Sequence, residues 1–137
     1  MIVLDSSFLI AFHNESDAHH QTASGLMERF LAAEWGKGLL LEYVFLEVVT
    51  VLMLRLDLSA ATHAGRILLD AEELEFVPCS DLFLETLDCF SRQTGTRLSF
   101  VDAALAHAAR TRADGQILTF DREFRKLPAL RIHPIAP

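Results

Sequence analysis

The sequence has few of the residues that mark disulfide-rich, zinc-binding or strongly basic proteins. Its 137 residues include only two cysteines, Cys79 and Cys89, and these form no C-x-x-C pair. We therefore expect neither a disulfide framework nor a zinc site, and we interpret both cysteines as small buried side chains. Lys37 and Lys126 are the only lysines, and the formal net charge is −7. Taken alone, this acidity argues against a nucleic-acid partner, because such proteins usually present a basic face.

The sequence also lacks an uninterrupted hydrophobic run long enough to cross a membrane. Its most apolar stretch, residues 39–56, contains Glu42, Glu47 and Arg55, which makes it a poor membrane span. The apolar residues at the start are followed at once by Asp5, so no signal peptide is recognisable. We expect a cytoplasmic protein without a membrane segment.

Apolar side chains are abundant enough for one folded domain over residues 1–137. Hydrophobic residues make up 51% of the chain and phenylalanine occurs ten times, which excludes a disordered protein. Short apolar runs alternate with helical patterns. The predicted strands are 2–4, 39–41, 76–77, 116–119 and 131–133, and the predicted helices are 6–12, 19–34, 43–55, 58–70, 81–93, 99–112 and 121–127. This alternation predicts a three-layer α/β/α domain with a central parallel sheet of about five strands.

Two of these helices carry specific expectations about burial. The helix over 43–55 is apolar nearly all round, which is typical of a buried helix. The helix over 81–93 is expected to turn four apolar side chains inward: Leu82, Leu84, Leu87 and Phe90. Ser6 is predicted to cap the first helix.

Four carboxylates stand apart from the other acids by their surroundings. Asp5 and Asp121 each directly follow a predicted strand, and parallel sheets bind ligands at the carboxyl ends of their strands. Glu47 lies inside the apolar helix, where a carboxylate needs a cation, a basic partner or a cleft. Asp102 is three residues after Ser99 in an acidic capping box, although aspartate is one atom short for the reciprocal bond. Each also has a plainer interpretation, as a helix cap or a structural pair.

Taken together, the four acids predict one cleft that holds a hard cation. Two unit charges 4 Å apart repel by about 4 kcal/mol at an effective dielectric of about 20, so clustered carboxylates need protons or a metal. A set of oxygen ligands favours Mg²⁺ or Mn²⁺. Such an ion activates water and offsets phosphoryl charge, so phosphodiester hydrolysis is the chemistry that suits this pattern best.

Four features of the sequence resemble the PIN-domain ribonucleases, in particular the VapC-type toxins of bacterial and archaeal toxin–antitoxin pairs. They are MIVLDSS at 1–7, Glu47 in its apolar helix, LSFVDA at 98–103 and LTFDREF at 118–124. The resemblance covers nearly the whole chain. It implies a five-stranded parallel sheet between helices and an endoribonuclease that depends on Mg²⁺, with Mn²⁺ as a substitute. It also implies an RNA substrate, a cognate antitoxin that blocks the site, and a homodimer.

The resemblance also assigns site residues by position. It implies that the metal-binding and catalytic acids are Asp5, Glu47, Asp102 and Asp121. Ser6, which in the family orients the first acid, and Thr119 are supporting residues. Glu123 stands where many relatives carry an additional acid.

Several alternative functions have less support in the sequence. Phosphatase-type transfer requires D-x-D after the first strand, where this chain has Asp5-Ser6-Ser7, and no dinucleotide or P-loop motif occurs. Glu42 is interpreted as a boundary acid at a helix start. The histidines at 13, 19, 20, 63 and 107 are interpreted as surface residues. A catalytically inactive PIN-like module that binds RNA or protein is the main alternative function.

The charge is divided unevenly along the chain. Residues 1–91 carry a net charge of −11, whereas residues 92–137 carry +4. Two of the late acids are proposed metal ligands, so a bound cation would make this third of the chain more positive. We therefore expect a phosphate-facing surface beside the cleft, and the net acidity does not exclude RNA.

Overall fold

Strands and helices alternate along the chain in a computed structural model that describes residues 1–135. The elements are β1 (Ile2–Leu4), α1 (Ser6–His13), α2 (His20–Leu31), β2 (Gly38–Leu41), α3 (Glu42–Arg55), α4 (Leu58–Asp70), β3 (Leu74–Val77), α5 (Phe83–Ser91), α6 (Phe100–Arg112), β4 (Gln116–Leu118) and β5 (Arg131–His133). Two short 3₁₀ helices span Cys79–Leu82 and Arg122–Lys126.

The five strands form one parallel sheet in the order β3-β2-β1-β4-β5. The side chains of β1 and β2 are buried, as expected for a sheet covered on both faces. The order reverses between β1 and β4, where Leu4 lies opposite Leu118. The predicted α/β class with a parallel five-stranded sheet is confirmed.

The helices cover both faces of the sheet. Parallel crossovers are right-handed, so the connections that run from β1 through β2 to β3 place α1 to α4 on one face, and the return to β4 places α5 and α6 on the other. In agreement, α1 packs on α2 and α3, α3 packs on α4, and α5 packs on α6, which contacts β1 and β4. The reversal of strand order opens a crevice at the carboxyl ends of β1 and β4.

The predicted burial of two helices is wrong. Helix α3 buries Val44, Val48 and Leu52, but Leu46 is 57% exposed and Leu54 is 74% exposed. In α5 the single buried side chain is that of Thr86, while Leu84 is 83% exposed. The sheet can be covered by only one side of each helix, so the apolar side chains on the other side face outward.

The same error affects the other inward positions expected near α5. Leu87 and Phe90 are exposed, and only Leu82 of the predicted set is buried. Leu82 belongs to the 3₁₀ turn that precedes the helix rather than to α5 itself.

Several element boundaries also differ from the predicted ones. Helix α2 ends at Leu31 rather than at 34, because Ala33 adopts a left-handed backbone with φ of 62°. Strand β3 begins two residues early, at Leu74, since it pairs with β2 from Gly38 onward. The helix predicted over 121–127 is a 3₁₀ helix, Arg122–Lys126.

No helix within residues 1–135 is both long and apolar enough to cross a membrane.

Gly115 is expected to be essential for the connection into β4. Its φ is +78°, and an added Cβ would collide with the backbone carbonyl of Ala129, which cannot rotate away as a side chain could. Gly115→Ala should lower the free energy of unfolding by about 2 kcal/mol or more, from left-handed strain and this collision. Gly25→Ala is the matched control, because Gly25 is exposed within α2 with open space around it. That variant should gain up to about 1 kcal/mol. Urea denaturation of both measures the difference, and equal stabilities would contradict the prediction.

Candidate active site

A cleft of about 280 Å³ opens at the edge of the sheet where the strand order reverses. All four acids that the sequence singled out lie on its wall: Asp5, Glu47, Asp102 and Asp121. The remaining wall residues are Ser6, Ser7, Ile10, Asp17, His19, Val51, Arg55 and Phe120. The fold therefore brings the four acids to one cleft, as their positions in the sequence predict.

Asp5 is the most deeply buried of the four acids, at 5% exposure. It directly follows β1 in extended conformation and is the N-cap of α1, accepting a hydrogen bond from the Ser6 backbone N–H at 2.8 Å. Its other oxygen, Oδ2, accepts hydrogen bonds from the hydroxyls of Thr119 at 2.7 Å and Ser7 at 2.8 Å. The backbone N–H of Asp5 donates to the Leu118 carbonyl at 3.0 Å, which joins the ends of β1 and β4.

Ser6 was predicted to cap α1, but both Ser6 and Ser7 hold carboxylates of the cleft instead. Ser6 does not cap α1; Asp5 does, because its carboxylate reaches the first free N–H of the helix. The Ser6 hydroxyl instead donates to Glu47 Oε2 at 3.0 Å and lies 3.4 Å from Asp5 Oδ1. Ser7 accepts the Phe120 backbone N–H at 2.9 Å, so one hydroxyl connects Asp5 to the segment after β4.

Glu47 lies on the cleft but is exposed, which corrects the expectation that apolar neighbours bury it. The buried side of α3 is formed by residues three to four positions apart, including Val44 and Val48, and Glu47 falls beside that stripe. Its carboxylate is held by Ser6 through Oε2. Water and this hydroxyl are therefore available to solvate its charge.

Asp102 and Asp121 cap helices as well as lining the cleft. Ser99 and Asp102 form a complete capping box, with the reciprocal bond from Ser99 N–H to Asp102 Oδ2 at 3.3 Å. The expectation that aspartate is too short for this bond is therefore wrong, although the contact is long. Asp121 Oδ1 accepts the Glu123 N–H at 2.9 Å at the start of the 3₁₀ helix.

Three carboxylate oxygens on the cleft wall have no hydrogen-bond partner within the part of the chain that the structure describes. They are Glu47 Oε1, Asp102 Oδ1 and Asp121 Oδ2, since each of these acids uses only its other oxygen. Oxygen atoms of ionised carboxylates are the ligands preferred by Mg²⁺ and Mn²⁺. The donor set therefore fits a hard divalent cation, with Asp5 at its base.

Electrostatics at the base of the cleft also favour a cation. Burial raises the pKa of Asp5 above the ordinary value of an aspartate, and the charge of Asp102 raises it further, against the hydrogen bonds from Thr119, Ser7 and Ser6, which lower it. Desolvation and a like charge both penalise the ionised form. A bound cation removes this penalty. In residues 1–135, however, no three His, Cys, Asp or Glu side chains are gathered into a ready-made metal site.

The other predicted residues lie around the cleft or away from it. Thr119 is buried behind Asp5 and donates to it. Glu123 is not on the cleft wall, and its carboxylate forms an exposed ion pair with Lys126 at 2.9 Å. Glu42 begins α3 and accepts the Cys79 N–H at 3.4 Å, as expected for a boundary acid. Cys79 and Cys89 are free thiols.

Sequence reasoning missed several residues of the cleft. His19 was expected to be a plain surface residue, but its ring stacks on that of Phe120, and both line the cleft. Arg55 is the one lysine or arginine on the wall within residues 1–135. Ser7 could have been found from its position two residues after Asp5, where a hydroxyl can turn back to the acid. Asp17, His19 and Arg55 carry no comparable local signal.

Comparisons with known proteins agree with this fold. A family model described as PIN domain matches residues 2–130. Among solved structures, the chain is similar to Mycobacterium tuberculosis VapC20, which is described as a sarcin-ricin loop cleaving toxin. The two share 26% sequence identity over 95% of this chain and 97% of the other, with a TM-score of 0.79. None of the curated protein sequences compared matches the chain.

Proposed function

Since the chain belongs to the PIN domain family, we propose that it is a metal-dependent endoribonuclease and the toxin of a toxin–antitoxin pair. The observation that carries this proposal is the convergence of four carboxylates, three of them with an uncommitted oxygen, on the cleft where the strand order reverses. PIN nucleases generally use divalent metal ions. We propose Mg²⁺ here, with Mn²⁺ able to replace it.

The proposed ligands are Asp5, Glu47, Asp102 and Asp121. When bound, Mg²⁺ makes water a stronger nucleophile at neutral pH and offsets the negative charge of the phosphoryl group. Asp5 is suited to the central position because Ser6, Ser7 and Thr119 hold both of its oxygens in place.

Side chains around the ligands position them. The Ser6 hydroxyl lies between Asp5 and Glu47, so it helps to fix the spacing of the acid after β1 and the acid on α3. Thr119 supports Asp5 and also accepts the Asp121 N–H at 3.0 Å, which ties the acids after β1 and β4 to one hydroxyl. Glu123, paired with Lys126, is assigned a supporting role only.

One basic side chain on the cleft wall, that of Arg55, is suited to a phosphate of RNA. Arg55 ends α3 on the cleft wall, and its fixed donor geometry matches a phosphate group. The basic residues of 92–135 are absent from this wall, and four of them pair with acids instead: Arg92, Arg112, Lys126 and Arg131. The phosphate-facing surface expected beside the cleft from residues 92–137 therefore stays a prediction. We propose that Arg55 holds a phosphate next to the scissile one.

Incubation of the purified chain with RNA tests the proposed function. Total cellular RNA and a synthetic hairpin of the sarcin–ricin loop, the substrate class named for VapC20, are suitable probes in Mg²⁺ buffer. We expect discrete new 5′ ends, mapped by primer extension. RNA that stays intact with both probes would contradict an endoribonuclease and favour the inactive binding module.

The apolar surface supports a proposal about partners. An apolar cavity of about 360 Å³ lies between α1, α2 and α4, lined by residues such as Leu9, Met27 and Ile67. We propose that a helix of the cognate antitoxin docks there and that exposed apolar residues of α3, including Leu54, contribute to a homodimer.

The proposed place of action is the cytoplasm. Sedimentation equilibrium tests the dimer, and loss of RNA cleavage on co-expression with the product of an adjacent small open reading frame tests the antitoxin.

A further inference from the structure

The rings of His19 and Phe120 form a stacked pair at the carboxylate cleft. We propose that this pair is a platform on which a nucleobase of the RNA stacks, so that the pair positions the strand for cleavage. The inference rests on the proposed function and adds positioning residues to it. His19 and Phe120 are not assigned a part in the chemical step.

The geometry of the pair is that of a stacking surface. The ring centroids are 4.4 Å apart and the ring planes differ by 7°. Both residues line the same cleft as Asp5, Asp102 and Asp121. His19 is exposed and Phe120 is half-buried, so the imidazole is the ring of the pair that is more accessible to a ligand.

The backbone of each residue of the pair is anchored by a hydrogen bond from its N–H to a nearby side chain. The His19 N–H donates to Asp17 Oδ1 at 2.9 Å immediately before α2 begins. The Phe120 N–H donates to Ser7 Oγ at 2.9 Å, and the Ser7 hydroxyl donates to Asp5 Oδ2 at 2.8 Å. A base on this platform would therefore lie at a defined position relative to Asp5, which is the preorganisation that a substrate-positioning group needs.

The chemistry of the cleft favours a neutral flat ring at this place. Five carboxylates line the wall, so an anionic group is repelled wherever neither Arg55 nor a cation held by the acids offsets its charge. A nucleobase is neutral and planar, and single-stranded RNA is commonly bound by stacking unpaired bases on His, Phe, Tyr or Trp rings. One RNA strand could then place a base on His19 and a phosphate at Arg55, so that each part of the nucleotide meets a side chain that suits it.

Stacking of this kind tolerates any base, so the platform should determine affinity rather than sequence choice. Removing an aromatic ring from such a contact weakens binding by about 5- to 150-fold. Because the contact is to the strand and not to the reacting atoms, we expect the loss in KM, with kcat changed about twofold or less.

Steady-state kinetics on a defined RNA test the proposal. The probe is a fluorescein-labelled RNA oligonucleotide that spans a cut site mapped with the wild-type chain, so cleavage itself is established first. We expect His19→Ala to raise KM by about 5- to 150-fold and His19→Phe, which keeps a ring, to restore the wild-type KM. His63→Ala is the matched control, because His63 is an exposed histidine of α4 that does not line this cleft.

A second measurement separates base stacking from other roles of His19. Oligonucleotides in which each nucleotide near the cut site is replaced in turn by an abasic residue should include one on which wild type and His19→Ala have the same KM. A KM for His19→Ala within twofold of wild type on the intact oligonucleotide, or a His19→Phe variant as weak as His19→Ala, would overturn the platform while leaving the proposed function in place. A wild-type chain that cuts no RNA would overturn the proposed function itself.

Discussion

Replacement of Asp5 by asparagine is expected to reduce RNA cleavage by about 1,000-fold, the upper range for loss of one charge-stabilising group in an active site. Asp5 is the buried acid at the base of the cleft, and both of its oxygens are oriented by hydrogen bonds. Asparagine has nearly the same shape but carries no charge, so it cannot offset that of a divalent cation. Cleavage of a mapped RNA oligonucleotide in Mg²⁺ buffer measures the effect.

The same variant should remain folded. Burial, and to a smaller extent the charge of Asp102, raise the pKa of Asp5 above 3.8. A carboxyl group whose pKa is raised in the folded state contributes stability below its unfolded pKa, and this contribution is lost as pH rises through the folded-state value. At neutral pH in EDTA, wild type therefore carries a cost that Asp5→Asn lacks. Urea denaturation should show an equal or higher free energy of unfolding for the variant, with a difference that grows as pH rises from 3.8.

The matched control for Asp5 is Asp70→Asn. It makes the same change of charge at an exposed acid at the end of α4, away from the cleft. We expect wild-type cleavage from this control. Full activity of Asp5→Asn would contradict the assignment of Asp5, and an unfolded Asp5→Asn variant would contradict the stability argument.

Removal of divalent cations is expected to abolish cleavage, and added Mn²⁺ should restore it. The physical reason is the repulsion among the cleft carboxylates together with their uncommitted oxygens, which a hard cation satisfies. Binding to the folded state alone should also raise its stability, by about 2.7 kcal/mol when free Mn²⁺ is 100 times Kd. A saturating rise in Tm during Mn²⁺ titration measures this effect.

Asp102→Asn identifies the site of that binding. The variant should lose both the Tm rise and the cleavage, because it replaces a charged carboxylate of the cleft, one oxygen of which has no hydrogen-bond partner among the described residues, by a neutral amide. Asp70→Asn should keep both. Cleavage that persists in excess EDTA would contradict metal dependence, and the absence of both a Tm rise and cleavage in wild type would favour the inactive binding module.

The fold and the positions of Asp5, Asp102 and Asp121 on the cleft could be predicted because their signals are local. A short apolar run followed by aspartate is visible in the sequence at both Asp5 and Asp121, and the β1–β4 pairing then brings them to one edge. The helix pattern that carries Asp102 is equally local. Errors arose where a prediction depended on which side of a helix faces the sheet, as for Glu47 in α3 and Leu84 in α5.

Alternation of strands and helices, and the acids at strand ends and helix starts, were determined by the sequence alone, because hydrophobic period and capping act over a few neighbouring residues. Only the tertiary structure decided the solvent exposure of Glu47, the connection of Asp5 to Phe120 through Ser7, and the meeting of His19 with Phe120. His19 and Phe120 lie about a hundred positions apart in the sequence. Their contact depends on how the segment before α2 meets the segment after β4, and no short stretch of sequence specifies that meeting.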